Sequence, residues 1–256
     1  MKTVYGPVPS WRLGPSLGID PICQRKVCSF DCIYCQLGMT TVKTIERKDF
    51  VSPQNVSEDL KKALQETETP SAVTFSGTGE PELALNLRKL IHEARKLTPP
   101  EIPIVILTNS SLMSQQKVRK DLSQADTVIA KLDAPNEKLF QTINRPHPDI
   151  DYHKMIDGMK KFRQEFEGKY SIQMMFLQEN KDFAREMAST AMGLKPDEIQ
   201  LDTPLRPSKT LPLTPQEMKE VTNHFTDFNT ISVYEAKEVK TEPINPKETR
   251  KRRPTK

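Results

Sequence analysis

The chain contains no apolar run approaching the roughly 18–20 residues that a membrane-spanning helix needs, and its N-terminus, MKTVYGPVPSW, lacks the apolar segment of a signal peptide. A soluble, cytoplasmic protein is therefore expected. Aromatic side chains that stack on nucleic acid are scarce, with one Trp and five Tyr. Charge of one sign is scarce as well. Residues 240–256 hold seven Lys/Arg and two Glu, a net of +5, which leaves −1 of the total +4 for residues 1–239. A nearly neutral body with a short basic end gives little support to an RNA partner. Cysteine is also rare, and the four cysteines all lie between Cys23 and Cys35. A disulfide scaffold spreads its cysteines to staple distant loops, so this crowding points to a metal or redox centre instead.

What is present is enough apolar material, 36% of 256 residues, for one sizeable core. Short apolar runs at Leu17–Asp20, Ala72–Ser76, Ile104–Thr108, Thr127–Leu132, Tyr170–Leu177 and Glu198–Asp202 read as strands, with a seventh at Ile231–Tyr234. Several are continuous rather than alternating, which suits strands covered on both faces of a parallel sheet. Helical stripes lie between them: Val56, Leu60 and Leu64; Leu83 to Ala94; Tyr152 to Phe162. Shorter helices are expected near 114–123, 136–143, 181–192 and 214–226. Repeated β-then-α units imply right-handed crossovers. A closed eight-stranded barrel needs about 250 residues, and here the first 50 and last 20 read mostly as loop. The fold class expected is therefore α/β, a partial (β/α)6 TIM-like barrel of mostly parallel strands, open on one side; a doubly wound sheet is the runner-up. Residues 1–239 would form this domain. The charged, proline-flanked segment 240–256 reads as a disordered basic tail. Either architecture collects ligands at the carboxyl ends of the strands.

The central motif is Cys28-Ser-Phe-Asp-Cys32-Ile-Tyr-Cys35, a C-x3-C-x2-C spacing that follows the first expected strand. Thiolates suit iron–sulfur clusters or zinc. Three cysteines can cap three corners of a [4Fe–4S] cube and leave the fourth iron open, whereas most electron-transfer clusters use four. Structural zinc usually takes two separated ligand pairs, and no His lies close enough to complete a set here. Cys23 reads as a bystander.

This spacing, with an aromatic residue before the last cysteine, resembles the radical S-adenosylmethionine (radical SAM) superfamily. Ser76-Gly-Thr-Gly79-Glu80-Pro81, Thr108-Asn109-Ser110 and Lys131-Leu-Asp133-Ala134 follow successive strands and extend the resemblance. With Gly18-Ile-Asp-Pro21, Cys35-Gln-Leu-Gly38 and Asn144-Arg-Pro-His147, they resemble the branch related to the tRNA-wyosine synthase. The resemblance spans roughly residues 5–236. That synthase carries a second cluster on upstream cysteines, and here only Cys23 lies upstream, so wyosine synthesis itself is not expected.

The resemblance implies one [4Fe–4S] cluster on Cys28, Cys32 and Cys35, with SAM on the open iron. One electron cleaves SAM, and the 5′-deoxyadenosyl radical takes a hydrogen atom from the substrate. An electron donor of the flavodoxin or ferredoxin type is implied as partner. Tyr34 would meet the adenine or serve as an apolar prop for the loop. Gly77, Gly79 and Glu80 would form the turn beside the methionine end of SAM, mainly through backbone groups, or an ordinary strand-to-helix turn. Asn109 and Ser110 would meet the SAM carboxylate or ribose, or cap a helix. Lys131 and Asp133 would contact SAM or pair with each other. Gln173, Met175, Asp202, Thr203 and Arg206 would line the cavity, with Arg206 beside an anionic substrate or else solvated. The substrate class stays open between tRNA or a nucleotide and, for a glycyl-radical-type activating enzyme, a partner protein. The reading from another class is a non-catalytic zinc- or cluster-binding module that docks RNA through its tail.

Overall fold

The structure is a computed structural model that describes residues 1–254. In chain order its elements are β1 (Val4–Ser10), β2 (Gly14–Ile19), the two-residue strands β3 (Val27–Cys28) and β4 (Val42–Lys43), α1 (Pro53–Glu66), β5 (Ala72–Phe75), α2 (Leu87–Leu97), β6 (Ile104–Thr108), α3 (Gln116–Leu122), β7 (Thr127–Lys131), α4 (Glu137–Ile143), α5 (Tyr152–Glu165), β8 (Lys169–Met175), α6 (Ala184–Leu194), β9 (Glu198–Asp202), α7 (Pro215–Thr222), β10 (Thr230–Ser232) and α8 (Pro246–Arg252). The main sheet runs β1-β2-β5-β6-β7-β8-β9-β10. Only β1 pairs antiparallel; every other pairing is parallel. The order follows the chain without a reversal, and β1 and β10 remain edges, so the curled sheet is a partial barrel open between them.

Strand parity explains both the core and the site. Leu17 and Ile19 of β2, Val73 and Phe75 of β5, Ile104 and Ile106 of β6, Val128 and Ala130 of β7, Ile172 and Met174 of β8, and Ile199 and Leu201 of β9 share one face, and all are buried. They join a single core with Leu60 of α1, Leu90 of α2, Phe162 of α5 and Ala191 of α6. The alternate residues face the inside of the curl. There Ala72, Val105 and Ile129 form a small apolar floor. Towards the carboxyl ends the same parity gives Lys131, Gln173, Met175 and Asp202. The methionines at 155, 159 and 174 are core filling.

Several helices begin where the sequence supplies a cap. Ser52 accepts from Asn55 N, Asn136 from Leu139 N and Asp151 from Lys154 N, and Thr214 with Glu217 completes a capping box.

Two expectations need correction. The first 50 residues read mostly as loop, yet Val4–Ser10 form β1, with Pro7 and Pro9 inside it. An edge strand tolerates prolines because one side of its ladder is unpaired. The segment 240–256 read as disordered, yet 246–252 is helix α8, packed on β1. Asn245 caps it and Pro246 opens it. Gly6 N donates to Thr249 Oγ1 at 3.1 Å. Arg252 has a fully buried side chain, with Nε 2.9 Å from Asp20 Oδ2 and Nη1 2.7 Å from Glu248 Oε2. A charge count sees a solvated terminus; it cannot see a buried carboxylate far upstream in the chain.

Candidate active site

The cysteine loop is held from three directions. Val27 and Cys28 form a short parallel ladder with Val42 and Lys43, and Val27 also bridges to Gly79. On the other side Asp31 N and Ile33 N each donate to the end of α4, to Asn144 O and Ile143 O, both at 3.0 Å. Below the loop, Phe30 packs edge-on against Phe140, ring centres 5.3 Å apart. Within it Cys35 N donates to Cys32 O at 3.1 Å, which turns the last two cysteines back on themselves.

Burial sets the thiol chemistry. It pushes the Cys28 thiol up, with Glu80 and Cys32 adding to the effect. It pushes Cys32 up to about 12, helped by Asp133 and Cys35. A coordinated metal would remove such a proton outright. Two side-chain amides point at the sulfurs: Asn109 Nδ2 lies 3.6 Å from Cys28 Sγ and Asn144 Nδ2 lies 3.5 Å from Cys32 Sγ. Donors of this kind fit thiolate ligands and tune the potential of a cluster. Among the described residues no three Cys, His, Asp or Glu side chains converge on the point a single ion would occupy.

The residues singled out from sequence fall into two groups. Gly77, Gly79, Glu80, Asn109, Ser110 and Asp133 build the walls that hold the loop. Glu80 Oε1 accepts from Thr108 Oγ1 at 2.6 Å and Oε2 from Asn109 N at 2.7 Å, so its carboxylate is engaged within the protein. Ser110 is fully buried at a φ of +68°, its amide donating to Thr108 Oγ1 at 3.0 Å. Asp133, with no exposed side-chain surface, accepts from Tyr34 Oη, from Asn144 Nδ2 at 2.8 Å and from Met175 N at 2.9 Å, and pairs with Lys131 Nζ at 3.2 Å. It therefore ties the cysteine loop to β7 and β8. The second group, Tyr34 and Lys131, faces the cavity, with the Lys131 ammonium 5.1 Å from the Tyr34 ring centre. Burial and then the Asp133 charge raise the Tyr34 phenol well above its ordinary value, so it stays a proton donor.

That cavity has a volume of about 350 Å³ and lies beside Cys35 at the carboxyl ends of β7, β8 and β9. Its size is within the roughly 300–1,000 Å³ of small-ligand sites. Gln173, Met175, Asp202, Thr203 and Arg206 line it as the sequence suggested, and Trp11, Arg12 and Arg253 line it as well. Two contributors carried no sequence signal of their own: Arg12 sits in the turn after β1 and Arg253 follows α8. Asp20, from the Gly18–Pro21 motif, binds Thr78 Oγ1 at 3.0 Å as well as Arg252. Asn144 belonged to a recognised motif, but its contact with Cys32 depends on the α4 end folding back.

Two changes probe these walls. A Cβ on Gly79 would fall inside the van der Waals shell of the Val27 carbonyl oxygen, which is backbone and cannot swing away. Gly79→Ala is expected to cost about 1–3 kcal/mol and to lower the iron retained per chain, read by thermal unfolding and iron analysis. Glu80 and Glu82 are buried side by side, and burial raises both carboxyls, with the Glu82 charge next in effect on Glu80. A carboxyl whose folded value is raised binds more protons in the folded state, so its stabilising contribution is lost as pH rises from 4.5 towards 8. Glu82→Gln is therefore expected to lose less urea resistance than wild type between about pH 5 and about pH 8; an unchanged pH slope would contradict this.

Residues 26–191 match the family model described as the radical SAM superfamily. A UPF0026 protein of Methanocaldococcus jannaschii is 39% identical over 236 residues, covering 90% of this chain and 72% of that protein. A protein of Brachyspira hyodysenteriae named GTPase Obg is 39% identical over 88% of this chain, but the chain spans only 33% of its length. Among solved structures, anSMEcpe with bound AdoMet superposes with a TM-score of 0.64 at 17% identity, covering 86% of this chain and 64% of that one. Streptococcus suis SuiB bound to its precursor peptide SuiA gives a TM-score of 0.61 at 18% identity, covering 84% and 48%. At these identities the structural matches speak for a shared fold. Among the described residues no helix is long and apolar enough to cross a membrane.

Proposed function

The chain belongs to the radical SAM superfamily, and from that premise we propose that Cys28, Cys32 and Cys35 hold its single [4Fe–4S] cluster and that SAM occupies the cavity beside Cys35. The protein is an enzyme of this family, and its cofactors are that cluster type and SAM. Held by Cys28, Cys32 and Cys35, a reduced cluster would supply the one-electron chemistry for reductive cleavage of SAM and so for hydrogen abstraction from a substrate. The chain's own residues position and shield. Asn109 and Asn144 donate towards Cys28 and Cys32 sulfur. Asp133, gripped by Tyr34 and Lys131, fixes the loop against the strand ends. Tyr34, Lys131 and Gln173 face the space in which SAM would lie. Family members need an electron donor, and a flavodoxin or ferredoxin would serve. Four free cysteines accord with a reducing, cytoplasmic setting.

The observation that carries the reading is the three-cysteine loop opening on a ligand-sized cavity at the carboxyl ends of parallel strands. Its test is anaerobic reconstitution followed by reduction in the presence of SAM. About four irons per chain and release of 5′-deoxyadenosine are expected. A reconstituted protein that binds no iron, or binds it and leaves SAM intact, would falsify the assignment.

A further inference from the structure

The SAM cavity adjoins a second one of about 630 Å³, bounded by Pro7, Pro9, Pro207, Pro243 and Pro246, and the two share Leu205, Arg206 and Arg253. Arg12 completes a group of three half-buried guanidiniums around the inner cavity. Their one carboxylate neighbour in the lining is Asp202, whose Oδ2 lies 3.2 Å from Arg12 Nη1. Among the described residues neither Arg206 nor Arg253 has an ion-pair partner. Buried Nε atoms of Arg12 and Arg253 make no hydrogen bond. Such groups are costly to bury unless something accepts from them. Elsewhere the fold pairs buried arginines carefully, as Arg252 shows with Asp20 and Glu248. Burial first, then the nearby positive charges of Arg253 and Arg12, depresses the Arg206 guanidinium to about 10. The other cation in the lining, Lys131, is already paired with Asp133. At the outer rim Glu242 and Arg250 are exposed and offset each other.

Three guanidiniums against one carboxylate leave two positive charges at the junction of the cavities. A phosphomonoester carries about −1.5 to −2 at neutral pH and accepts bidentate bonds from arginine. A phosphodiester or a carboxylate carries one negative charge and would leave the excess half compensated. Trp11 fixes Arg12 in place, its ring centre 4.8 Å from the guanidinium carbon.

Building on the radical SAM reading above, we propose that Arg12, Arg206 and Arg253 form the phosphate-binding end of the substrate site, and that the substrate is a small phosphomonoester whose organic part reaches from the outer cavity towards SAM. The C-terminal segment thereby contributes a substrate-binding residue, Arg253.

The test uses the reconstituted, cluster-loaded protein and titrates inorganic phosphate by calorimetry, with and without saturating SAM. Saturable binding with the same Kd in both conditions is expected. Arg206→Gln and Arg253→Gln should each weaken it at least about tenfold while iron content and thermal unfolding stay as in wild type. Arg206 makes no ion pair among the described residues, so its replacement leaves no carboxylate stranded. Absence of phosphate binding, or binding insensitive to both substitutions, overturns the proposal and leaves the SAM-cleavage assay untouched. Displacement of phosphate by SAM assigns the guanidiniums to the SAM carboxylate and overturns it too. A final arm compares 5′-phosphorylated with 5′-hydroxyl oligoribonucleotides. Affinity that follows the terminal phosphate supports the monoester assignment, and affinity that follows chain length overturns it.

Discussion

The Cys32→Ala variant, purified and reconstituted anaerobically, is expected to keep the wild-type circular dichroism, to fall from about four irons per chain to fewer than about one, and to release no 5′-deoxyadenosine above background. Cys32 occupies the middle of the loop. Asn144 Nδ2 approaches its sulfur at 3.5 Å, and the Tyr34–Asp133 contact anchors the residue two places on. Alanine removes the sulfur but leaves the backbone bonds from Asp31 N and Ile33 N to the end of α4, so the loop keeps its shape. Two thiolates then remain where a cube with one open corner needs three. Cys23→Ser is the matched control. Cys23 Sγ lies 3.3 Å from Lys2 O and 3.4 Å from Arg252 Nη2 and lines a different pocket from the cavity beside Cys35. It should retain about four irons and full SAM cleavage. Equal iron loss in both variants would mean that Cys23 is a ligand and that the three-cysteine assignment is incomplete.

The second large effect lies away from the cysteines. Arg252→Ala is expected to destabilise the fold by about 3–5 kcal/mol, because it leaves the buried Asp20 carboxylate without its cation. Both side chains have zero exposed surface. Asp20 keeps its bonds from Thr78 Oγ1 at 3.0 Å and Cys23 N at 2.9 Å, which places the loss towards the lower end of that range. Arg252 Nη2 also donates to Lys2 O at 2.7 Å, so the substitution loosens the chain start as well. Urea unfolding reads the loss. Arg252→Met alone should be about as harmful, since it too strands the carboxylate. Combining it with Asp20→Asn should recover much of the stability, because a neutral amide is cheaper to bury than an unpaired charge. If Arg252→Ala unfolds at the wild-type urea concentration, α8 is not docked as described.

These two sites mark the limits of what residue order discloses. The cysteine motif is local: its three thiols lie within eight positions, and a thiol keeps its affinity for soft metals in any fold. The central parallel strands were equally open to reading, because strands buried on both faces need continuous apolar runs such as Ile104–Leu107. β1 was hidden by its prolines, which mean loop in a central strand and are permitted at an edge. Asp133 looked like a SAM ligand or a partner of Lys131, and the fold makes it the anchor of the cysteine loop as well.

Sequence alone determined the clustering of three thiols in one loop, the α/β alternation and the end of the sheet where that loop lies, since each follows from spacing and periodicity within short stretches. Tertiary structure alone decided that Arg12, Arg206 and Arg253 meet at one cavity and that Arg252 reaches Asp20. Charges from opposite ends of the chain carry no periodic signal, and whether each is solvated, paired or held for a ligand depends on which surfaces folding brings together.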